Sequence, residues 1–314
     1  MFVVTKPGMM SLLTDAGRFG QAGLGLTQGG PVDPFAFELA NHLVGNEVPT
    51  TTLEVTLGGL QLEVRQDALI SVTGAPLPLT IDGQGQPLWQ SIRVKAGSLI
   101  DLGMQTAGLR TYLAVQGGFD ITPAFGSTST VLREGIGGLE GSKLKAGDKL
   151  PVGSVAAQGR LRKLPASAIP DYPQELTAHL IPAYQYEAFS ATSRAIFFSS
   201  TYQVSNQADR MGYRLQGASV PCSISSMLSE GIALGAVQVP ADGQPIVLLN
   251  DRQTIGGYPK LGSVLSLDCA RLGQCRPGAQ IQFELISLEQ AHNLLMLHHA
   301  RQQRMLTNLE ELDE

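Results

Sequence analysis

G-A-V-Q-V-P-A-D-G-Q-P-I-V-L-L-N, residues 235 to 250, sets two short apolar runs on either side of an Asp242-Gly243 turn signal. Asp-Gly supplies the positive φ angles that tight turns between strands require. The same texture recurs at T-L-E-V-T-L (52–57), L-I-S-V-T (69–73) and T-Y-L-A-V (111–115), with further turn signals at Asp82-Gly83 and Gly117-Gly118. Closely spaced strands without intervening helices predict barrels or sandwiches rather than a doubly wound α/β sheet. Thirty-six glycines and 18 prolines in 314 residues give the punctuation such a chain needs.

Only three stretches read as helix. Asp33 is a good N-cap, Pro34 suits the first helical position, and Gly45 can close the helix in a left-handed conformation; Phe35, Leu39 and Leu43 form its buried stripe. A second helix is expected after Ser190, with Phe189 as a hydrophobic staple. The third starts near Ser287, where S-L-E-Q has capping-box spacing, and Leu288, Ala291, Leu295, Met305, Leu309 and Leu312 are expected on its apolar face. The length suits two domains. The expected division is an N-terminal β subdomain over 1–155, a C-terminal one over 156–286, and a C-terminal helix over 287–314. The aperiodic stretch Gly153 to Ile169 serves as the connection, and strand exchange between the halves is allowed.

Composition narrows the function. Hydrophobic residues make up 43% and charged residues 16%, enough apolar side chain for sizeable cores. A net charge of -5 argues against a nucleic-acid-binding surface. Cys222, Cys269 and Cys275 are odd in number and irregularly spaced, which predicts buried free thiols in a reducing compartment and no metal. M-F-V-V-T-K-P-G lacks the features of a signal peptide, and no apolar stretch approaches the roughly 20 residues of a membrane span, so a cytoplasmic location is expected. His42, His292, His298 and His299 lie in predicted helices without H-E-x-x-H spacing, and no G-x-S-x-G elbow is present. G-L-G-L-T-Q-G-G (23–30) and G-I-G-G-L-E-G (135–141) match neither G-x-G-x-x-G nor a P-loop and read as turns.

Four polar clusters carry the candidate chemistry. L-T-D-A-G-R-F-G-Q-A-G contributes Asp15 and Arg18. S-N-Q-A-D-R-M-G-Y-R-L-Q-G contributes Arg210, Tyr213 and Arg214. L-S-E-G-I-A-L-G-A-V-Q-V-P contributes Glu230 and Gln238. L-L-N-D-R-Q-T-I-G-G-Y-P-K contributes Asp251, Arg252, Gln253, Thr254 and Tyr258, where an apolar strand opens into a loop. Arginine forks suit carboxylates and phosphates. Glutamine can grip an amide, and tyrosine or carboxylate can move protons. Asp251, Gln253 and Tyr258 are accordingly the catalytic candidates, with the others binding substrate or phosphate. The competing account makes the Arg-Asp pairs staples between strands.

These same stretches resemble a known family. L-T-D-A-G-R-F-G, G-P-V-D-P-F-A-F-E-L-A-N-H-L-V-G-N, L-E-V-T-L-G-G, Y-L-A-V-Q-G-G-F-D and G-S-T-S-T are similar to the N-terminal half of the allophanate hydrolase subunit 2 family. D-R-M-G-Y-R-L-Q-G and the run from L-S-E-G to I-G-G-Y-P resemble its C-terminal half. The family is also called biotin-dependent carboxyltransferase subdomain A/B, and its stand-alone bacterial members are the C subunits of 5-oxoprolinase. The resemblance implies a mainly β chain of two cyclophilin-like β-barrel subdomains with a few short helices. It implies a cytoplasmic amide-bond hydrolase complex that opens 5-oxo-L-proline to L-glutamate with ATP. In that complex the 5-oxoprolinase B subunit would be the direct partner, and the A subunit would complete the enzyme. ATP, with Mg2+ as its companion, would bind here or on a partner, and no bound biotin is implied. At Asp209 relatives often carry Asn, so that position receives no distinct role. Two alternatives stay open: a carboxyltransferase component acting on urea or a related amide with biotin, and a non-catalytic regulatory binding protein.

Overall fold

The computed structural model describes residues 1–154, 159–224 and 227–312. The chain divides into two compact units, one of Met1–Phe19, Gly29–Tyr172 and Arg301–Glu314, the other of Gly20–Gln28 and Pro173–Ala300. The first therefore runs past 155, and the 20–28 segment is counted with the second.

In the first unit two antiparallel sheets share one core. One orders its strands Lys149–Leu150, Phe2–Pro7, Gly58–Val64, Leu99–Met104, Leu79–Ile81 and Gln84–Gln86; the other orders Met10–Thr14, Thr52–Thr56, Arg110–Val115, Ala68–Gly74 and Ser91–Val94. Gly58–Val64 alternates buried and half-buried positions, which sends Leu60, Leu62 and Val64 inward. They meet Leu53, Val55, Ile70, Val72, Leu113 and Val115 of the opposite sheet. The second sheet is covered on its other face as well, so Thr52–Thr56 and Arg110–Val115 are buried throughout. Its cover is helix α1 (Pro34–Leu43), whose Ala36 and Ala40 carbonyls accept hydrogen bonds from Thr73 (2.6 Å) and Ser71 (2.6 Å). As predicted, Asp33 caps α1 by accepting from the Ala36 amide (3.1 Å), and Gly45 is left-handed at φ 75°.

The second unit holds a closed seven-stranded barrel. Its order is Glu175–Pro182, Lys260–Val264, Ala236–Gln238, Ile246–Leu248, Gly212–Gln216, Tyr202–Ala208 and Gln280–Leu285. The two runs that flank Asp242-Gly243 are neighbours in it, with Val237 opposite Val247 and Gln238 opposite Ile246. Closure removes the free edges that an open sheet would expose. Helix α2 (Ala191–Ser199) is capped by Ser190, whose hydroxyl accepts from the Ser193 amide (3.0 Å), and Phe189 is fully buried. Helix α3 (Ser266–Leu272), which the sequence pattern did not announce, is a short piece between two strands.

The C-terminal helix α4 spans Leu288–Thr307. Ser287 and Gln290 cap it reciprocally, at 2.7 and 3.1 Å, as the capping-box spacing predicted. It does not continue to the end of the chain, however. Glu310–Glu311 instead pairs with Arg162–Lys163 as a two-residue ladder, and Leu309 joins the core under α1 from outside the helix. Part of the expected connection, residues 155–158, lies outside the described residues. Cys269 and Cys275 are buried free thiols as expected, whereas Cys222 is only half-buried.

Candidate functional site at the barrel mouth

The four polar clusters divide between the two units. Asp15 and Arg18 lie in the first unit and hold a loop. The Asp15 carboxylate accepts from the Gly17 amide (2.9 Å), the Thr128 amide (2.7 Å) and the Ser127 (2.5 Å) and Ser129 (2.9 Å) hydroxyls. Arg18, fully buried, donates to the carbonyls of Ala124 (2.9 Å) and Ser129 (3.1 Å). Both side chains brace G-S-T-S-T. The 135–141 glycines serve the same packing: a Cβ on Gly137 would lie 2.0 Å from the Ser129 carbonyl oxygen, and one on Gly138 2.1 Å from the Thr130 hydroxyl. Glycine is needed there because the chain passes so close to its neighbour, and the Gly135, Gly138 and Gly141 amides donate to the carbonyls of Val131, Thr128 and Gly137.

Within the second unit, Arg210 and Asp251 are absorbed by each other. They form a two-pronged ion pair, Nε to Oδ2 and Nη2 to Oδ1, both 2.8 Å, with side-chain exposures of only 5% and 7%. That arrangement places Asp251 as a staple between Asp209–Gly212 and the strand end at Leu249, and not as a free base. Tyr213 is fully buried and donates its hydroxyl to the Gly273 carbonyl (3.1 Å). Arg214 pairs with Asp242 on the surface.

What remains gathers at one mouth of the barrel. Glu230–Gly231 and Ile255–Gly256 form a short two-stranded flap, extended by one hydrogen bond from the Ile232 amide to the Thr254 carbonyl (3.0 Å). Arg252 folds back onto this flap, donating to the carbonyls of Ile232 (3.2 Å) and Leu249 (3.2 Å); its own carbonyl accepts from Thr27 (3.1 Å). Among the described residues no carboxylate pairs with its guanidinium, and burial pulls that group below the ordinary arginine value. An arginine fixed by carbonyls and with no paired carboxylate among the described residues is a candidate for binding an anion.

Lys260 enters the same mouth from the barrel wall. Its ammonium pairs with Glu230 and donates to the Gly231 carbonyl (3.3 Å). Gln185 donates to the Glu230 carboxylate (2.9 Å) and accepts from the Lys260 amide (3.4 Å). The hydrogen bond from Lys260 holds the Glu230 carboxyl below the usual range. Gln238, opposite Lys260 in the ladder, is 1% exposed. Gln253 and Thr254 are half-buried beside Arg252, and Tyr258 is exposed. The rim is apolar and open: Tyr184, Leu228, Ile255 and Tyr258 all stand in solvent. Lys260 and Gln185 were not among the residues the sequence pattern singled out. A lysine opening the otherwise apolar run K-L-G-S-V-L was the signal for the first, whereas Gln185 sits in a loop that offered none.

A mainly β chain with a closed barrel has counterparts among known proteins. The chain belongs to the carboxyltransferase domain family, subdomain A and B, which matches residues 24–285. Within that family it is similar over most of its length to the C subunit of 5-oxoprolinase. It is 39% identical to that protein from Escherichia coli K12 over 297 residues, covering 93% of both chains. The C subunit from Haemophilus influenzae is 38% identical over 283 residues, covering 90% of both. The urea amidolyase of Kluyveromyces lactis superposes with a TM-score of 0.91 at 27% identity over 97% of this chain, which spans only 20% of that protein.

Proposed function

We propose that this chain is the C subunit of an ATP-dependent 5-oxoprolinase, opening 5-oxo-L-proline to L-glutamate together with the A and B subunits. The observation that carries the proposal is the identity of 39% over 93% of both chains to a protein of that name. The barrel mouth suits the substrate. A lactam carboxylate needs a cation for its carboxylate and amide groups for its ring, and Arg252, Lys260 and Gln238 supply these types. Gln253 and Tyr258 are the groups left to handle the lactam and its protons, since Asp251 is held by Arg210. ATP and its Mg2+ would bind on this chain or on one of the partners. The apolar rim of Tyr184, Leu228, Ile255 and Tyr258 suits the direct partner, the B subunit. The complex would work in the cytoplasm. Among the described residues no helix is long and apolar enough to cross a membrane.

The test is co-purification with the A and B subunits, followed by glutamate release from 5-oxoproline with and without ATP. ATP-dependent glutamate release is expected, and a complete mixture without it would sink the proposal. A urea carboxylase component is the second reading, favoured by the fold shared with urea amidolyase. Its signature would be carboxyl transfer from a supplied biotin carrier to urea.

A further inference from the structure

Gln238 presents a buried donor with no acceptor. Its Nε2 makes no hydrogen bond among the described residues, although the side chain is 1% exposed. Leaving such a group unsatisfied is unfavourable, and native proteins retain one chiefly where something else supplies the partner. Lys260 lies directly opposite Gln238 in the barrel ladder, so the two side chains leave the same face. The ammonium of Lys260 is met by Glu230, which belongs to the flap and not to the barrel. Gly256, the ladder partner of Glu230, closes over the Gln238 amide: a Cβ built on it would lie 2.9 Å from Nε2 and 2.6 Å from Ile232 Cδ1. One two-residue ladder therefore covers both donors and places its own carboxylate on the cation. Such a short ladder, carrying Gly231 and Gly256 and followed by Gly257, can shift without disturbing the barrel.

We propose that Lys260 and Gln238 form a latched carboxylate site in which Glu230 occupies the ligand's place. A small carboxylate-bearing lactam or amino acid displaces Glu230 from Lys260. Glu230 and Gly256 then move together, and an acceptor oxygen of the ligand reaches Gln238 Nε2. Both events are one exchange of partners, with no covalent step. The inference deepens the assignment of the barrel mouth to 5-oxoproline and rests on it.

Competition by a tethered carboxylate has a measurable consequence. The apparent affinity is the intrinsic one reduced by the fraction of molecules with the latch open. Glu230→Gln removes the competing charge, so binding tightens by about two- to fivefold, the worth of a partly exposed ion pair. Gln238→Leu removes the donor to the ligand and weakens binding by about two- to tenfold, while the unliganded protein is no less stable because an unsatisfied amide has gone. Lys260→Gln abolishes binding.

Titration of the full chain with 5-oxoproline, and with 2-pyrrolidinone as the same ring lacking the carboxylate, tests this by calorimetry or NMR. KM values in the complex with the A and B subunits provide the same ranking where the chain alone binds weakly. Saturable binding of 5-oxoproline alone, tightened in Glu230→Gln and weakened in Gln238→Leu without loss of melting temperature, is the expected result. Glu230→Gln binding no tighter than wild type, or equal binding of both rings, would overturn the latch, and this variant remains informative even if Lys260→Gln does not fold. Normal glutamate release by a complex that fails this ranking refutes the latch and leaves the function standing. The predicted ranking in a chain whose complex releases no glutamate keeps the site and removes the 5-oxoprolinase assignment.

Discussion

Asp251 sits where a strand opens into a polar loop, the position in which a catalytic carboxylate would be sought, yet its geometry makes it a staple. Asp251→Ala separates these roles. The pair it forms with Arg210 has two 2.8 Å hydrogen bonds and side-chain exposures of 5% and 7%, so solvent cannot take over when one partner is lost. Breaking a buried pair by removing one member leaves an uncompensated charge and costs about 3–5 kcal/mol. For a domain of this size each kcal/mol moves the melting temperature by about 2–4 °C, so a fall of roughly 10 °C is expected. Replacing both partners by apolar residues, Arg210→Met with Asp251→Leu, leaves no orphan charge and should recover most of that loss. Scanning calorimetry of wild type, both single variants and the double variant forms the cycle. If Asp251→Ala melts within about 1 °C of wild type while the assembled complex loses its activity, Asp251 is no staple and its carboxylate acts on the substrate.

Other positions give sharp expectations. Arg252→Ala should raise the KM for 5-oxoproline in the assembled enzyme by about tenfold or more, as loss of a charge-assisted contact predicts, and an unchanged KM would remove it from the site. Gly137→Ala should destabilise far more than Gly147→Ala: both residues have positive φ, at 72° and 91°, but only the first would drive a Cβ to 2.0 Å from a carbonyl oxygen. Burial pushes the thiols of Cys269 and Cys275 up to about 12, so a thiol reagent at mildly alkaline pH should label native protein once, at half-buried Cys222, and all three sites after unfolding. Because Lys260 holds the Glu230 carboxyl below its ordinary value, the latch contributes stability that is present above the unfolded glutamate value, about 4.3, and is lost as pH falls through the lower folded one. Hydrogen exchange in the Glu230–Gly256 ladder, corrected for intrinsic rates, should rise across that window in wild type and show no such step in Glu230→Gln.

What could be read from residues alone followed the range of the forces involved. Caps and turns are local, so Asp33, Ser190, Ser287 and Asp242-Gly243 announced their elements correctly. The end of α4 was misplaced because Leu309 and Leu312 keep a helical spacing, while a ladder with the sequence-distant Arg162–Lys163 takes that segment instead. Barrel closure, likewise, is decided by pairings such as Glu175–Pro182 with Gln280–Leu285, which no local pattern encodes.

The site shows the same division more sharply, because polarity in a sequence does not reveal which partner a side chain will find. Arg210, Asp251 and Arg252 look alike in a string of letters, and only the fold gives the first two to each other and leaves the third facing carbonyls. Asp15 and Arg18 have the same residue types, and the fold makes them the internal brace of one loop. A buried arginine with a carboxylate on both prongs has little left to offer a ligand, whereas one fixed by neutral carbonyls keeps its net charge. The useful criterion is therefore residual demand: charge or donors that the fold positions but does not satisfy. By that criterion the chemistry of this chain moves away from Arg210 and Asp251. In the proposed site it would rest on Arg252, on the unmatched amide of Gln238, and on Lys260, whose carboxylate partner among the described residues comes from a two-residue ladder.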